Sequence, residues 1–208
     1  MVLGDSFFRQ PTFINRNNRV IAVTLKKRTR FSRVDWLARA MDVLSRKGGA
    51  RLRINDLCQE LGVTKGSFYA HFEDRADFVR QFVAYWAETF TQSVVNEIDK
   101  LADVTAKARL LVLMRLLHHQ KMARYDMAVR AWAAQELSVA QGVRKVDKQR
   151  FAYIRQIFHE MGFRGADLDL RTRLFVAYHS SEPGMQLPPS GLGVDKEIKL
   201  RHAFFTRP

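Results

Sequence analysis

The most informative pattern of apolar and polar residues lies between Ile54 and Phe72, in the stretch INDLCQELGVTKGSFYAHF. Its first half has apolar residues at i, i+3, i+4 and i+7, namely Ile54, Leu57, Cys58 and Leu61. Such a stripe predicts a helix of about two turns with one buried face. Gly62 follows, and a glycine can adopt the left-handed conformation that closes a helix C-terminus. We therefore expect a short helix that ends in a tight turn.

The second half of the stretch predicts another short helix. Thr64 can cap this helix with its hydroxyl group. Val63 and Phe68 flank the cap at the positions where two apolar side chains clamp the entering chain as a hydrophobic staple. Phe68 and Phe72 are four residues apart, so both can point to the same buried side. The whole stretch thus predicts a helix-turn-helix whose turn is fixed from both sides.

The other side chains of the second helix form a polar outward face. They are Thr64, Lys65, Gly66, Ser67, Tyr69 and His71. A helix fits the DNA major groove when its first turn is slim and its side chains offer donors to bases and phosphates. Gly66 keeps the backbone close, and the free amides of a helix N-terminus favour phosphate. The face predicts a DNA contact surface, although the pattern also fits a helical hairpin with a solvated face.

A third helix is expected upstream of this motif. Ser32 and Asp35 form a capping box, which is typical of a helix N-terminus. Apolar residues follow at spacings of three and four, namely Val34, Leu37, Met41 and Leu44, with Trp36 and Ala40 beside them. This stripe should pack on the two helices of the motif. Gly48 and Gly49 predict the end of the helix.

The remainder of the chain has helical spacing throughout. One long helix is predicted from Asp74 to Asp99, followed by helices at 106–118, 123–135, 138–161, 167–181 and 195–205. Neither strand alternation nor an internal repeat interrupts them. The predicted fold class is all-α, with a three-helix helix-turn-helix domain (32–78) joined by the long helix to a helical bundle (79–208).

Charge narrows the class of partner. The 208 residues include 35 Lys and Arg against 21 Asp and Glu, which gives a net charge of +14. Such an excess favours a polyanion, with nucleic acid as the first candidate and an acidic membrane surface as the second. The chain has no apolar run of membrane-spanning length and no recognisable signal sequence. We therefore expect a cytoplasmic protein that does not bind membranes.

Residues 1–31 are basic and lack helical periodicity. Seven cations stand against the single acid Asp5, namely Arg9, Arg16, Arg19, Lys26, Lys27, Arg28 and Arg30. We predict a mobile arm that adds phosphate contacts or enters the minor groove beside the main site. The alternative is an extension without a role.

The segment GVTKGSFYAHFEDRADF is similar to the recognition helix and following segment of the TetR family of bacterial transcriptional regulators. The resemblance extends from Ser32 to about Phe82. Arg53 departs from the family pattern, which usually has a capping threonine there, but its guanidinium could reach a phosphate. Arg75 stands where the family has a basic residue that contacts the DNA backbone. The predicted DNA contacts are Arg53, Thr64, Lys65, Gly66, Ser67, Tyr69, His71 and Arg75.

The resemblance also implies how such a protein works. In the family, the last two major helices, here 138–161 and 167–181, pair with their copies in a second subunit. Such a homodimer matches an inverted-repeat operator in double-stranded DNA, with half-sites about one helical turn apart. A small molecule in the carboxy-terminal domain would release a repressor of this kind from its operator. A family member without an effector is the alternative.

Several side chains are candidates for a ligand cavity between helices, although they fit a packed core or surface equally well. They are Arg115, Tyr125, Arg130, Trp132 and Gln135. Cys58, the only cysteine, lies on an apolar stripe and is expected to be buried rather than redox-active. His118 and His119 are adjacent, so their side chains diverge on a helix, and no metal site or cofactor is predicted.

Two other classes of function compete with a regulator. A sequence-indifferent nucleic-acid binder would have the same net charge and basic arm. A helical enzyme is disfavoured because the sequence has no phosphate-binding glycine loop and no nucleophile motif with a partner base at a recognisable spacing.

Overall fold

The computed structural model describes residues 31–47, 52–101, 103–119, 123–181, 185, 188 and 190–207. These residues form helices and irregular segments and include no strand, so the all-α prediction is confirmed. None of their helices combines the length and the apolar character needed to cross a bilayer. Outside the described residues lie the predicted arm, apart from Phe31, and the glycines expected to end the first helix.

Ten α-helices are assigned within the described residues, and each predicted helix is among them. In chain order they are α1 (Arg33–Lys47), α2 (Ile54–Leu61), α3 (Lys65–Tyr69), α4 (Arg75–Ala87), α5 (Ser93–Asp99), α6 (Ala106–His119), α7 (Ala123–Ala133), α8 (Leu137–Glu160), α9 (Gly165–Ser181) and α10 (Val194–Thr206). A π-helical turn, Glu88–Gln92, connects α4 to α5.

The capping box and the buried face of α1 show how this helix is placed. The Ser32 amide donates to Asp35 Oδ2 at 2.9 Å, and the Asp35 amide donates to Ser32 Oγ at 3.2 Å. The Ser32 hydroxyl also donates to Asp35 Oδ2, at 2.7 Å, and this bond, together with that from the Ser32 amide, lowers the pKa of the Asp35 carboxyl group. Trp36 and Ala40 are fully buried, whereas Val34 is 60% exposed. The expectation that Val34 belongs to the buried stripe is wrong, because the buried face is centred on Trp36 and Ala40 and Val34 lies at its edge.

The turn of the helix-turn-helix has the predicted geometry. Gly62 has a φ of 65°, in the left-handed region, and its amide donates to Gln59 O at 3.2 Å. The Val63 amide donates to Cys58 O at 3.0 Å, which completes the closure of α2. Thr64 caps α3, since its Oγ1 accepts a hydrogen bond from the Ser67 amide at 3.3 Å.

The helix predicted from Asp74 to Asp99 is continuous but contains the π-helical turn, which the apolar spacing did not reveal. Ser93 Oγ donates to Glu88 O at 2.9 Å, across five residues. The carbonyl of Phe90 accepts a longer bond, 3.4 Å, from the Arg150 guanidinium of α8. A single widened turn shifts the apolar stripe only slightly, so a period count over the whole helix cannot detect it.

Two hydrophobic clusters hold the helices together. The first combines residues of α1–α4 with residues of α7 and the start of α8, and the second combines α5, α6, α9 and α10 with the end of α8. Helix α8 contributes Val139 and Val143 to the first cluster and Ile154 and Phe158 to the second. Phe31–Pro208 forms one compact unit, in which α1 packs on α7 and α4 packs on α8. The predicted domain boundary at residues 78–79 stays a prediction.

Candidate nucleic-acid interface and internal cavity

Aromatic packing fixes the position of α3. Phe68 is fully buried, and its ring centroid lies 5.7 Å from that of Trp36 and 5.5 Å from that of Phe78. Phe72 is buried against the same rings. A helix of five residues is too short to be stable alone. Its orientation is therefore set by these aromatic contacts, which confirm that Phe68 and Phe72 point inward.

The polar face of α3 lies on the surface. Thr64, Lys65, Gly66 and Tyr69 are exposed, and Ser67 and His71 are partly exposed. The Tyr69 side chain is 54% exposed, and the edge-on contact with Phe68, at 5.3 Å between centroids, orients its ring. Lys65 makes no ion pair with any residue that the structure describes. The helical hairpin therefore has its hydrogen-bonding side turned outward.

Gly66 is not required by the protein's own packing. A Cβ atom added at this position would meet only Thr64 Oγ1, at 3.7 Å, which is an ordinary van der Waals contact. Its φ does not lie in the left-handed region, so its backbone does not demand glycine either. The space that glycine leaves open at this position faces outward, beside Lys65 and Tyr69.

The two predicted arginine contacts differ in their surroundings. Arg53 precedes α2, is exposed and makes no side-chain capping bond, so the departure from the family pattern does leave this helix uncapped. Arg75, at the start of α4, pairs with Glu136, with 2.7 Å between its guanidinium nitrogen and Oε2. Sequence reasoning missed Glu136, because 61 residues separate the two partners and no local spacing connects them.

A cavity of about 310 Å³ lies among the helices of the carboxy-terminal part. Most of its wall is apolar, with side chains from the π-helical turn and from α5, α6, α8 and α9. Examples are Phe90, Val94, Leu113, Met114, Ile154 and Val176. Polar side chains also reach the wall, namely Thr91, His118, Asp126, Arg150, Tyr153, His179, Ser180 and Arg201. A mostly apolar wall with a few polar groups is typical of small-molecule sites.

The charges beside the cavity neutralise one another. Asp126, which is 6% exposed, accepts hydrogen bonds from Arg130 Nε and from an Arg150 guanidinium nitrogen, both at 2.9 Å. Arg130 also donates two bonds to Asp147, at 2.9 and 2.6 Å, and these raise the pKa of its guanidinium. Arg150 further donates to Thr91 Oγ1 at 3.0 Å. Asp126 therefore has no spare charge for a ligand.

None of the five residues predicted for a ligand site lines this cavity. Trp132 is buried against Phe82, and Arg130 belongs to the ion-pair network behind the wall. The Tyr125 hydroxyl donates to Asp42 Oδ1 at 2.8 Å, and Arg115 lies 3.7 Å from Asp195. Gln135 is exposed. Helical spacing identifies buried faces but not the places where packed helices separate, so it could not locate the cavity.

A sequence signal for the cavity did exist, in charged residues at buried positions. Asp126 lies between Tyr125 and Met127 in α7, and Arg150 lies four residues from each of the buried residues Val146 and Ile154 in α8. Charges in such positions require buried partners.

Cys58 is buried, as expected, and burial raises the pKa of its thiol. Within the described residues, no group of three or more His, Cys, Asp or Glu could hold a metal ion.

Comparison with known proteins agrees with this geometry. Residues 37–82 match the family model described as bacterial regulatory proteins, tetR family. A comparison with curated proteins gave no match. The matched segment starts in α1 and ends in α4, and it includes α2, the turn and α3. Residues 37–82 are therefore similar to the helix-turn-helix domain of bacterial regulatory proteins of the tetR family, and this similarity supports a DNA-binding transcriptional regulator.

Proposed function

We propose that the protein is a repressor that binds an inverted-repeat operator as a homodimer in the cytoplasm and is released by a small molecule. The observation that carries the DNA-binding part is the outward face of α3. Its Lys65 has no ion-pair partner among the described residues, and its Gly66 has no packing role within the protein. Both features suit a surface that lies against DNA.

The roles of the individual contacts follow from their positions. We assign groove and backbone contacts to Lys65, Ser67, Tyr69 and His71, with Gly66 allowing close approach of the backbone. Thr64, Arg53 and Arg75 are assigned to phosphates. All three residues stand at helix N-termini: Arg53 and Thr64 directly precede α2 and α3, and Arg75 is the first residue of α4.

Dimerisation is proposed through α8 and α9. Leu170 and Leu174 on α9 are 57% and 47% exposed and lie four residues apart, so they form one apolar strip. Beside it, Arg155 of α8 pairs with Asp169 of α9 at 2.9 Å, which holds the two helices together. An apolar strip on a rigid helix pair suits contact with a second copy.

The release mechanism is proposed to start in the cavity. A bound molecule would touch Phe90 and Thr91 of the π-helical turn. That turn is continuous with α4, whose first residue is Arg75, at the border of the DNA-binding face. A ligand that favours a different bend at the turn would change the separation of the two α3 helices in the dimer, and so weaken operator binding.

The first experiment is selection of bound sites from random duplex DNA with the full chain. We expect an inverted repeat, and tight binding of the selected duplex in fluorescence anisotropy. Lys65→Ala should weaken this binding at least about tenfold, as expected for loss of a groove contact. Lys199→Ala is the control, because it removes the same charge from an exposed position on α10. Equal affinities of the two variants would refute the assignment of α3.

Sequence-indifferent nucleic-acid binding is the second candidate, favoured by the net charge of +14. It predicts no enriched site and a steep fall in affinity with salt for every duplex. Competition between the selected duplex and random duplex at raised salt separates the two functions. Preferential retention of the selected duplex supports a specific regulator.

A further inference from the structure

His179 has one ring nitrogen in use and one unused. Its Nδ1 lies 2.9 Å from the carbonyl oxygen of Phe175. A carbonyl oxygen only accepts hydrogen bonds, so Nδ1 must carry the proton. In a neutral imidazole the other nitrogen, Nε2, is then an acceptor. This Nε2 is buried and has no hydrogen-bond partner among the described residues.

The ring is also kept neutral and fixed in place. Burial, opposed in part by the bond to Phe175 and assisted by the nearby Arg201 cation, lowers the pKa of His179 to about 4. The imidazole stacks on the Phe175 ring, with 4.1 Å between centroids and 30° between planes. Since Phe175 is itself buried in the second hydrophobic cluster, the acceptor has a defined direction.

Arg201, on the opposing helix α10, supplies a complementary donor. One guanidinium nitrogen of Arg201 donates to the Tyr178 hydroxyl at 2.8 Å, and another lies 3.7 Å from Glu197. Its Nε is buried and unpartnered among the described residues. Arg201 and His179 both line the cavity. Among the described residues of the wall, His179 thus has a buried acceptor atom without a partner and Arg201 a buried donor atom without a partner.

The charges around the cavity disfavour an ionic ligand. Asp126 is the only carboxylate among the described residues of the wall, and it accepts hydrogen bonds from two guanidinium groups, so it is not free to bind a cation. Arg201 has Glu197 beside it, and a carboxylate ligand would set its lone pairs against the unprotonated nitrogen of His179. A hydroxyl group has neither problem, because it can donate a proton to one partner and accept from the other.

Resting on the proposed effector role of the cavity, we infer that its ligand is an uncharged, mainly apolar molecule with a hydroxyl group, of the phenol or alcohol class. The hydroxyl donates to His179 Nε2 and accepts from Arg201 Nε. The apolar remainder lies against Val94, Leu113 and Ile154. The volume of about 310 Å³ sets the size of a molecule of one to two rings.

The test compares three probes of the same shape on the full chain without DNA. They are 4-phenylphenol, its methyl ether, and biphenyl-4-carboxylate. Calorimetric titration should give an affinity for the phenol at least about tenfold above that for the methyl ether, which cannot donate. The carboxylate should bind more weakly than the phenol. A preference for the carboxylate, equal binding of the phenol and its ether, or no binding of any probe would overturn the inferred ligand class.

Two variants test whether His179 causes the preference for the phenol over its methyl ether. His179→Phe removes the acceptor and keeps an aromatic ring, so the phenol should lose its advantage over the ether. Ser180→Ala, which also alters a hydroxyl at the cavity wall, should keep that advantage. If His179→Phe does not fold, the comparison of the three probes on the unchanged protein still tests the inferred ligand class. Loss of the advantage in Ser180→Ala alone would contradict the role of His179.

A second readout separates this inference from the proposed release mechanism. The phenol is added to the protein bound to its selected duplex, and anisotropy follows dissociation. Binding of the phenol together with release of DNA supports both proposals. Binding without release supports the ligand class and refutes the release mechanism.

Discussion

Replacing Glu136 with Gln should tighten operator binding. In the structure, Glu136 holds the guanidinium of Arg75 at 2.7 Å, at the junction between the start of α4 and the start of α8. If Arg75 binds a DNA phosphate, its guanidinium must either contact the phosphate and the Glu136 carboxylate together or give up its contact with Glu136. The amide of glutamine keeps the size and hydrogen-bonding capacity of the side chain but removes the charge that competes with DNA.

The size of the effect follows from the exposure of the pair. The Arg75 and Glu136 side chains are 44% and 26% exposed, so solvent screens their attraction. Pairs of this kind contribute about 0.2–1 kcal/mol. A dimer contains the pair twice, and the sum of about 1 kcal/mol corresponds to a gain in affinity of about fivefold.

Fluorescence anisotropy of the selected duplex at fixed salt measures this gain in affinity. A double-mutant cycle shows whether the gain depends on the pair of Arg75 and Glu136. In an Arg75→Ala background, Glu136→Gln should no longer give the gain that depends on the pair, so only a general charge effect remains. Glu97→Gln is the control, since Glu97 of α5 pairs with Lys100, which follows that helix, and not with Arg75. The same gain with and without Arg75, or no gain at all in a folded variant, would refute the competition.

Three further outcomes are expected. Gly66→Ala should leave the melting temperature unchanged or slightly raised but lower operator affinity about tenfold, because the added methyl group meets only Thr64 Oγ1 within the protein; a large loss of thermal stability would contradict this. Asp126→Ala should lower the free energy of unfolding in urea by about 1–3 kcal/mol, since two partly buried guanidinium groups each lose one hydrogen-bond acceptor; a change below about 0.5 kcal/mol would contradict the network's role. His179 has a pKa of about 4 in the folded protein and about 6.5 in the unfolded chain, so between these pH values only the unfolded chain is protonated. The contribution of neutral His179 to the free energy of unfolding is therefore fully present above pH 6.5 and is lost as the pH falls towards 4. Over that range the unchanged protein should lose about 3 kcal/mol more than His179→Phe, and parallel pH profiles would show that His179 is not buried in neutral form.

Sequence patterns predicted the helices and the exposed polar face of α3 because both depend on local chemistry. The cap of Thr64, the turn at Gly62 and the inward pair Phe68 and Phe72 involve residues within a few positions of one another. Such contacts determine which side chains of α3 remain outside. The polar face of α3 could therefore be predicted from the sequence without knowledge of the helices that pack against α3.

The features that sequence reasoning missed depend on distant contacts. Glu136 meets Arg75 only because α8 packs against the first hydrophobic cluster. The cavity is lined by side chains of the π-helical turn and of helices that are far apart in the sequence, and no apolar period along one helix records where these helices leave space. The prediction that Val34 is buried was wrong for a related reason. Its spacing placed it near the buried face of α1, but the neighbouring helices cover the part of that face around Trp36 and leave Val34 exposed.

The most direct test of the proposal that α3 lies in the major groove is methylation interference on the selected duplex. Guanine N7 lies in the major groove, whereas adenine N3 lies in the minor groove. We expect interference from guanine N7 in two symmetric clusters about one helical turn apart. The signal in both clusters should weaken when Tyr69 is replaced by Ala. Interference only from adenine N3, or a signal spread evenly along the duplex, would contradict this placement of α3.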